Sequence, residues 1–291
     1  MILITGCTGY IGSRLCHHLL LKGYKVCGLI KPSEREIANK LVNLGLIPFY
    51  NDLLEPFNLY RLEDEIDLIY HLAGVHSNYT NTYKLYVQGT INLFKAFSKL
   101  DHTKIVVASN GAVYPSTLKK QIEDLRISTD NIFGKITLEM EKVVMNMCNN
   151  YAIFRIGEVY GDGEFNPFRF DKKRITLLGN GMNYTSKIFI HDLINILDKC
   201  CDKFSHGIYN ICDDLPIPQI EFYHYVEKLS KKKCVNLKSD IELNDRIILS
   251  IHGLRTMNIR MDNSLFKNTS GYKFIYPTYI EGLEYLNNYN I

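Results

Sequence analysis

The sequence predicts an α/β protein built on a doubly wound parallel sheet of the Rossmann type. Three observations predict this fold. Short apolar runs alternate with longer stretches of helical period over residues 1–160, a glycine-rich turn follows the first apolar run, and 46% of the 291 residues are hydrophobic. A chain of this length and composition can bury a large core, and the alternation is typical of parallel strands joined by crossover helices.

Each predicted strand is a short apolar run, as expected for a strand that is buried on both faces. The runs are "MILITG", "KVCGLI", "DLIYHLAG", "KIVVAS" and "AIFRIG". The stretches "SRLCHHLLLKG", "YKLYVQGTINLFKAFSKL" and "ITLEMEKVVMNMCNN" lie between strands, and each is long enough to cross the sheet as a helix.

A glycine-rich turn connects the first strand to the first helix. Gly6, Gly9 and Gly12 follow the strand at intervals of three residues. Glycines here allow a tight turn and a close backbone approach to a pyrophosphate, whose charge is met by the amides and dipole of the helix amino terminus. This context predicts a dinucleotide site. Its other expected contacts are Thr8, Tyr10, Ile11, Leu53, Leu72, Ala73 and Gly74.

The end of the second strand bears on which dinucleotide binds. An acid there would bind the ribose of NAD, and a basic residue would favour the additional phosphate of NADP. The strand ends in "GLIKPSER", with Lys31 and no acid before Glu34. We therefore predict NADP, with Arg14 or Arg35 as a further cation, and keep NAD as the alternative. Asp52 is expected to bind the adenine amino group. Alternatively, these charged residues are ordinary surface side chains that contact solvent.

The strand and helix pattern becomes irregular after Tyr160 and later resumes. A helix is predicted at "IHDLINILDKC" and a strand at "GIYNI", and "PQIEFYHYVEKLSKKK" begins a mixed tail. We expect a dinucleotide-binding domain of residues 1–165, completed by residues 187–213. Residues 166–186 and 214–291 are expected to form a small substrate-type lobe from separated segments.

Composition and charge argue against several classes of function. The formal charge of +3 is small and evenly spread, so a nucleic-acid partner is not expected. There is no cationic leader and no apolar stretch of about eighteen residues, so we expect a soluble cytoplasmic protein without a membrane span. The eight cysteines show neither a CxxC pair nor zinc-ligand spacing, which favours reduced structural thiols and no metal site.

These motifs resemble the extended short-chain dehydrogenase/reductases, a group that includes the NAD-dependent epimerase/dehydratase family. The resembling segments are "TGCTGYIGSRL", "DLIYHLAG", "VQGTINLFKA", "VVASNGAVYP", "FRIGEVYG" and "KIFIHDL". The segments "GIYNICDDLPIPQIEF" and "GYKFIYPTYIEGLEYL" are similar to an atypical bacterial subgroup typified by the YeeZ protein. The resemblance covers nearly the whole chain and implies the fold, whereas a fold alone does not imply a reaction.

In active members of that group, a serine holds the substrate oxygen and a tyrosine transfers the proton. A lysine lowers the pKa of that tyrosine and grips the nicotinamide ribose. Ser109 matches the serine, and Glu141 matches the acid that follows the lysine by four residues. The tyrosine and lysine positions then fall on Phe133 and Thr137, and a helix asparagine of the group falls on Tyr86. Phenylalanine cannot ionise and threonine cannot supply a cation, so the usual relay is predicted to be absent.

Three residues lie close enough in sequence to be considered as substitutes for that relay: Lys135, Tyr114 and Tyr160. Lys135 comes first among them, although it points to a neighbouring side of the helix, where a solvated lysine is the alternative. His191 and Asp192 are expected to begin and cap a helix, and a catalytic pair is the alternative.

The stretch "DKKR" at residues 171–174 is a candidate contact for an anionic ligand such as a nucleotide diphosphate, and Arg155 and Arg169 could join it. A solvated charged loop is the alternative. The expected partners are a small-molecule ligand such as a nucleotide sugar and, through the resemblance, a second copy of the chain in a homodimer.

Two functions fit the sequence. The first is an NADP-binding, atypical member of the group that acts on a nucleotide sugar or a similar anionic metabolite without tyrosine and lysine. The second is a dinucleotide-binding regulatory or scaffold protein without turnover. Phe133 and Thr137 favour the second function, whereas the serine strand and the glycine loop fit both.

Overall fold

A computed structural model describes residues 1–60, 62–74, 79–97, 103–124, 126–169, 175–200, 206–238 and 256–289. Its strands are β1 Ile2–Thr5, β2 Val26–Ile30, β3 Ile47–Tyr50, β4 Leu68–His71, β5 Lys104–Asn110, β6 Tyr151–Ile156, β7 Glu158–Tyr160, β8 Ile175–Leu178, β9 Tyr184–Thr185, β10 Lys187–Phe189, β11 Gly207–Ile211, β12 Ile217–Pro218 and β13 Val235–Lys238.

The helices alternate with these strands. They are α1 Tyr10–Leu21, α2 Arg35–Asn43, α3 Tyr79–Tyr83, α4 Thr90–Lys95, α5 Ile132–Met147, α6 Ile190–Lys199, α7 Gln219–Ser230, α8 Ser264–Ser270 and α9 Tyr279–Tyr289. A turn of π-helix, Lys84–Gly89, joins α3 to α4. The sequence predicted one continuous helix from Tyr83, the last residue of α3, through the π turn and α4, so the wider turn is a departure from regular helical hydrogen bonding.

A seven-stranded sheet in the order β11-β6-β5-β4-β1-β2-β3 confirms the predicted doubly wound fold. Strand β1 pairs in parallel with β2 and β4, and β2 with β3 and β4 with β5 likewise pair in parallel. Every residue of β1, β2 and β4 is buried, which explains their unbroken apolar character. The chain returns to the edge of the sheet at β11, as the "GIYNI" pattern predicted.

The strand order reverses between β1 and β4. Strands β2 and β3 lie on one side of β1, and β4 and β5 lie on the other. In open α/β sheets, a ligand binds in the crevice outside the carboxyl ends of the strands at this reversal. We therefore expect the functional side chains at the carboxyl ends of β1, β2, β4 and β5.

The chain divides into two compact units. The first unit comprises Met1–Ser109, Ile136–Phe154 and Ile194–Ile208, and the second comprises Asn110–Lys135, Arg155–Leu193 and Tyr209–Ile291. The second unit contains three two-stranded pairings: β7 with β10, β9 with β12, and β8 with β13. The domain and lobe boundaries expected from the sequence stay a prediction.

The described cysteines are all free and buried: Cys7, Cys16, Cys27, Cys148, Cys200, Cys212 and Cys234. Burial raises the pKa of Cys27 and of Cys148 to about 12, so both stay protonated at neutral pH and fit the predicted structural role. Within the described ranges, no helix has both the length and the apolar character that crossing a membrane requires.

Candidate functional site

The glycine loop connects β1 to α1 in the first unit. Gly6 has a φ of +67°, and a Cβ there would lie 2.8 Å from backbone atoms of Ala73. A Cβ on Gly12 would lie 2.1 Å from the carbonyl oxygen of Gly6. These two positions require glycine because the turn, the helix and the end of β4 pack too closely for a side chain.

Gly9 is a glycine for a different reason. It is exposed, its φ is −75°, and among the described residues a Cβ there would meet only the Gly6 carbonyl oxygen, at 3.3 Å. Packing within the protein therefore leaves room for a small side chain at Gly9. A ligand that approaches the loop closely, as the predicted pyrophosphate would, accounts for a glycine at this position.

Helix α1 begins directly after Gly9 and directs its amino terminus to the loop. The first N–H groups of a helix have no partners within that helix, and the dipole makes this end positive. Thr8, Tyr10 and Ile11 lie half-buried around it, and their contact with a dinucleotide stays a prediction. The loop therefore has the geometry and the charge of a pyrophosphate site.

Two polar contacts lie at the ends of β1, β2 and β3. Lys31 Nζ lies 3.5 Å from Asp52 Oδ2, and the Thr8 hydroxyl donates to the carboxylate of Glu34. The sequence pattern predicts a phosphate contact for Lys31 and an adenine contact for Asp52, and it indicates no role for Glu34. The structure pairs the charge of Lys31 with an acid and brings a second carboxylate to the glycine loop.

The other two predicted cations lie over tyrosine rings. The guanidinium of Arg14 is 3.8 Å from the centre of the Tyr10 ring, and that of Arg35 is 4.3 Å from the centre of the Tyr50 ring. Arg14 also donates to the Tyr10 carbonyl at 3.0 Å. These contacts stack each guanidinium on an aromatic face, which is a favourable arrangement without any ligand.

The segment after β4 is held by a buried chain of hydrogen bonds within the first unit. The N–H of Ala73 donates to Thr5 Oγ1 at 3.3 Å, and Thr5 Oγ1 lies 2.7 Å from His71 Nδ1. His71 Nε2 lies 2.9 Å from Thr90 Oγ1, whose hydroxyl donates to the Tyr86 carbonyl at 2.5 Å. The chain therefore connects the predicted cofactor residue Ala73 to the π turn.

The protons in this chain have one consistent arrangement. Because Thr90 gives its proton to Tyr86, it must accept from His71 Nε2, so Nδ1 of the neutral ring accepts from the Thr5 hydroxyl. Burial lowers the pKa of His71 to about 4. The ring is therefore neutral at physiological pH, as this arrangement requires.

We expect His71 to make the folded state sensitive to acid. Its pKa falls from an ordinary 6.5 to about 4 on folding, so the unfolded chain takes up a proton at a higher pH than the folded chain. Stability from this group is present above pH 6.5 and is lost as the pH falls towards 4. The loss should be about 2 kcal/mol of unfolding free energy between about pH 6.5 and pH 4.5.

Urea denaturation at these two pH values measures the effect. The variant His71→Asn should be less stable at neutral pH, because it breaks the hydrogen-bond chain, yet it should lose less stability on acidification. An equal acid-induced loss in the variant and the natural protein would contradict this role of His71.

Ser109 lies near the end of β5, facing the interior. Its side chain is 3% exposed, and its hydroxyl donates to Glu141 Oε1 at 2.5 Å, while Glu141 is 1% exposed. The sequence assigned Ser109 to a substrate oxygen. The structure shows instead an internal hydrogen bond that uses the hydroxyl proton, so a ligand role for Ser109 stays a prediction.

The two positions that are predicted to replace the tyrosine and lysine are both buried. Phe133 and Thr137 are 2% and 0% exposed, and with Glu141 they repeat at four-residue intervals along one face of α5. Lys135 is exposed and lies on another face of that helix. Its assignment as a substitute proton donor stays a prediction, and exposure to solvent fits the alternative of a solvated lysine.

The other proposed substitutes are buried phenols of the second unit. Tyr114 donates to Asn210 Oδ1 at 2.7 Å, and burial raises its pKa to about 12. Burial also raises the pKa of Tyr160, whose hydroxyl has no hydrogen-bond partner among the described residues. Both phenols stay neutral near pH 7, which makes them poor proton acceptors.

The predicted anion contacts in the second unit have different outcomes. Arg155 is buried and donates to the Tyr114 hydroxyl at 3.2 Å, and Arg169 donates to the Gly163 carbonyl at 3.2 Å. Residues 171–174, the "DKKR" stretch, lie outside the described residues.

Asp192 is in the first turn of α6, where it accepts from the Tyr272 hydroxyl and from the N–H groups of Ile275 and Tyr276.

Glu34 and the Thr5, His71 and Thr90 side chains were not identified from the sequence. A signal for the latter group exists, because "MILIT" and "DLIYH" each end an apolar strand in a polar residue that must find a buried partner. Glu34 gave no comparable signal, since it follows the strand in a charged loop. Its contact depends on how the turn at Pro32–Glu34 folds back to the glycine loop.

Comparison with known proteins bears on this geometry. Residues 2–212 match the model of the NAD-dependent epimerase/dehydratase family. The chain belongs to this family. Within the family group, the YeeZ-like subgroup suggested by the sequence stays a prediction.

Individual relatives of this epimerase/dehydratase chain are similar over different lengths. An uncharacterised protein of Methanocaldococcus jannaschii is 28% identical over 270 residues, covering 80% of this chain and 81% of that protein. The UDP-glucose 4-epimerase of Bacillus subtilis is 32% identical over 160 residues, covering 50% of this chain and 47% of the enzyme. The chain thus spans about half of that epimerase.

The fold is also found in a solved structure. The UDP-glucuronic acid 4-epimerase of Bacillus cereus, in complex with UDP-glucuronic acid and NAD, superimposes with a TM-score of 0.79. The match covers 99% of this chain and 98% of that enzyme at 22% sequence identity, so it establishes a shared fold.

The epimerase/dehydratase family implies a dinucleotide, and the residues of the first unit fit its two halves differently. The exposed Gly9 and the amino terminus of α1 fit a pyrophosphate, and Thr8, Glu34 and Asp52 supply polar groups for the adenosine half. For the nicotinamide half, the lysine position is predicted to fall on Thr137, which is buried.

Proposed function

We propose that this protein binds an NAD-type dinucleotide and an anionic metabolite of the nucleotide-sugar class, and that it works as a binding or regulatory protein without hydride transfer. The observation that carries the proposal is the buried face of α5, where a phenyl ring and a threonine occupy the positions of the proton donor and its lysine. The glycine loop retains the features that bind a pyrophosphate.

The nucleotide-sugar class comes from the relatives. Proteins with this fold include epimerases whose names specify UDP-glucose and UDP-glucuronic acid. A sugar nucleotide is an anion, which the predicted contacts at Arg169 and at residues 171–174 would suit. Equilibrium dialysis with UDP-glucose and UDP-glucuronic acid tests this part. If neither UDP-glucose nor UDP-glucuronic acid binds at millimolar concentration, the nucleotide-sugar part of the proposal is wrong.

The second candidate function is the enzyme expected first from the sequence, with a relay that does not use tyrosine and lysine. Membership of a family of epimerases and dehydratases favours it. Lys135 is the residue on which this candidate depends.

A cytoplasmic location and a homodimeric state are also proposed. Sedimentation of the purified chain tests the homodimeric state.

We expect NAD(H) to bind more tightly than NADP(H). A 2′-phosphate near Glu34 would meet a carboxylate, and Asp52 already balances the charge of Lys31. Glu34→Gln should therefore improve NADP affinity by roughly tenfold, since one charge contact near the surface is worth on the order of 1 kcal/mol. Calorimetric titration of both dinucleotides measures the preference.

The NADP preference predicted from Lys31 is the competing outcome of the same titration. In that case NADP(H) would bind more tightly to the natural protein, and Lys31→Glu would reverse the preference while Glu34→Gln would leave it unchanged. The two variants therefore assign the preference to one residue or the other.

A further inference from the structure

The two halves of a dinucleotide lie over different strands of this sheet. The glycine loop follows β1, and the polar groups at the ends of β2 and β3 are on the adenosine side. A dinucleotide that crosses the point of strand reversal therefore extends its other half over the ends of β4 and β5. The residues there decide how much the nicotinamide half contributes to binding.

The end of β4 is partly filled by a tyrosine ring. A Cβ on the exposed Gly74 would lie 2.9 Å from the Tyr86 hydroxyl oxygen and 3.4 Å from the ring carbon that bears it. Tyr86 is 7% exposed and belongs to the π turn, which the Thr90 hydroxyl fastens at the Tyr86 carbonyl. The ring therefore lies beside Gly74, and the Tyr86 backbone is held by the Thr90 hydroxyl.

The chemistry of Tyr86 does not suit a replacement for the missing relay. Burial raises its pKa to about 12, so it is a neutral phenol at physiological pH. A neutral phenol cannot act as the anionic base that a lowered pKa would provide. The ring also occupies space next to Gly74 that the smaller asparagine of the wider group would leave.

Near the end of β5, the two side chains that the sequence assigns to the nicotinamide half, Ser109 and Thr137, are both buried. The Ser109 hydroxyl donates to Glu141, and the Thr137 side chain is fully buried. The lysine that grips the nicotinamide ribose in active relatives has no counterpart at Thr137. The adenosine side, by contrast, keeps its exposed glycine, its helix amino terminus and the Thr8 and Glu34 pair.

We infer that this site recognises the ADP-ribosyl part of a dinucleotide, and that Tyr86 and Thr137 leave the nicotinamide part with little added affinity. The inference rests on the proposed dinucleotide binding and specifies the ligand class further. Free ADP-ribose, or another ADP-ribosyl compound, is then as good a ligand as NAD.

The expected affinities follow from the missing contact. A charge-assisted hydrogen bond such as that from a lysine to a ribose contributes on the order of ten- to a hundredfold in affinity. Without it, NAD and ADP-ribose should bind with dissociation constants within about threefold of each other. Nicotinamide mononucleotide, which lacks the adenosine half, should show no binding.

Isothermal titration of the full chain with NAD, ADP-ribose and nicotinamide mononucleotide tests the inference. Equal binding of the first two, with none of the third, is the expected result. Binding of NAD at least tenfold more tightly than ADP-ribose would overturn the inference and leave the proposed dinucleotide site standing. Failure of both adenosine ligands to bind would refute the proposed site and the inference together.

Two variants assign the cause. Tyr86→Asn should tighten NAD binding at least threefold and leave ADP-ribose binding unchanged, because the space beside Gly74 opens only for the nicotinamide half. Tyr86→Phe retains the ring and serves as the matched control. The ratio of its dissociation constants for NAD and ADP-ribose should equal that of the natural protein. Circular dichroism establishes that both variants are folded. If Tyr86→Asn and Tyr86→Phe have the same ratio of dissociation constants, Tyr86 is not the cause of the weak binding of the nicotinamide half.

Discussion

Replacing Gly9 with valine should abolish dinucleotide binding and leave the fold intact. The backbone of Gly9 has a φ of −75° and a ψ of 175°, which is an extended conformation that valine adopts readily. In the part of the chain that the structure describes, a Cβ there would meet only the Gly6 carbonyl oxygen, at 3.3 Å, so the folded chain can take up a side chain with a small adjustment. A pyrophosphate could not bind beside this side chain, because the added methyl groups would occupy the place where its oxygens meet the loop amides.

The expected loss of affinity is roughly a hundredfold or more, since hydrogen bonds between the phosphate oxygens and the loop are broken together. Calorimetric titration with NAD measures the loss, and thermal melting measures stability. Gly9→Ala provides a graded comparison, with a smaller loss than valine. Gly12→Ala should instead destabilise the protein, because its Cβ would lie 2.1 Å from a carbonyl oxygen. Unchanged NAD binding in folded Gly9→Val would show that the loop does not hold the ligand.

The natural protein should show no hydride exchange between NAD(P) and the nucleotide sugars on which epimerases act. Phe133 and Thr137 cannot transfer a proton, and the exposed Lys135 lies on a different face of α5. Replacing three residues together, Phe133→Tyr, Thr137→Lys and Tyr86→Asn, should then create a measurable rate. A positioned acid typically contributes on the order of a hundred- to ten-thousandfold in rate.

Reduced nicotinamide absorbance in the presence of UDP-glucose measures this rate. The triple variant must bury a lysine at a fully buried position, where Glu141 follows four residues later on the same helix face and can balance its charge. A control without the phenol and the ammonium, Thr137→Met with Tyr86→Asn and with Phe133 retained, should stay inactive, because phenylalanine and methionine are close in volume to tyrosine and lysine. Turnover by the natural protein that disappears in Lys135→Ala would refute the non-catalytic proposal and identify Lys135 as the proton donor.

The fold could be predicted because its signals are local. The apolar runs that became β1, β2 and β4 are buried on both faces, so their hydrophobicity does not depend on distant contacts. The glycine spacing that precedes α1 is likewise read within a dozen residues. The structure adds that Gly6 and Gly12 serve packing, whereas Gly9 is exposed.

The polar contacts of the site could not be predicted in the same way, because they join residues that are distant in sequence. The hydroxyl of Thr8 reaches Glu34 across 26 positions, and Ser109 reaches Glu141 across 32. The type of each residue was known, but its partner depends on how strands and turns meet in space. Ser109 shows the consequence: its sequence position suggested a ligand contact, and its environment gives it an internal one.

The hydrogen bonds from Ala73 to Tyr86 also limit how these positions can change in evolution. The side chains at Thr5 and Thr90 each accept one proton and donate another, and His71 does the same with its two nitrogens. Serine is the natural replacement at either threonine, because it keeps both abilities. A valine at one position would leave a buried imidazole nitrogen unpaired, at a cost of about 1–3 kcal/mol. Natural relatives that lose one of the three should therefore have lost the others too, so that these positions covary as a set.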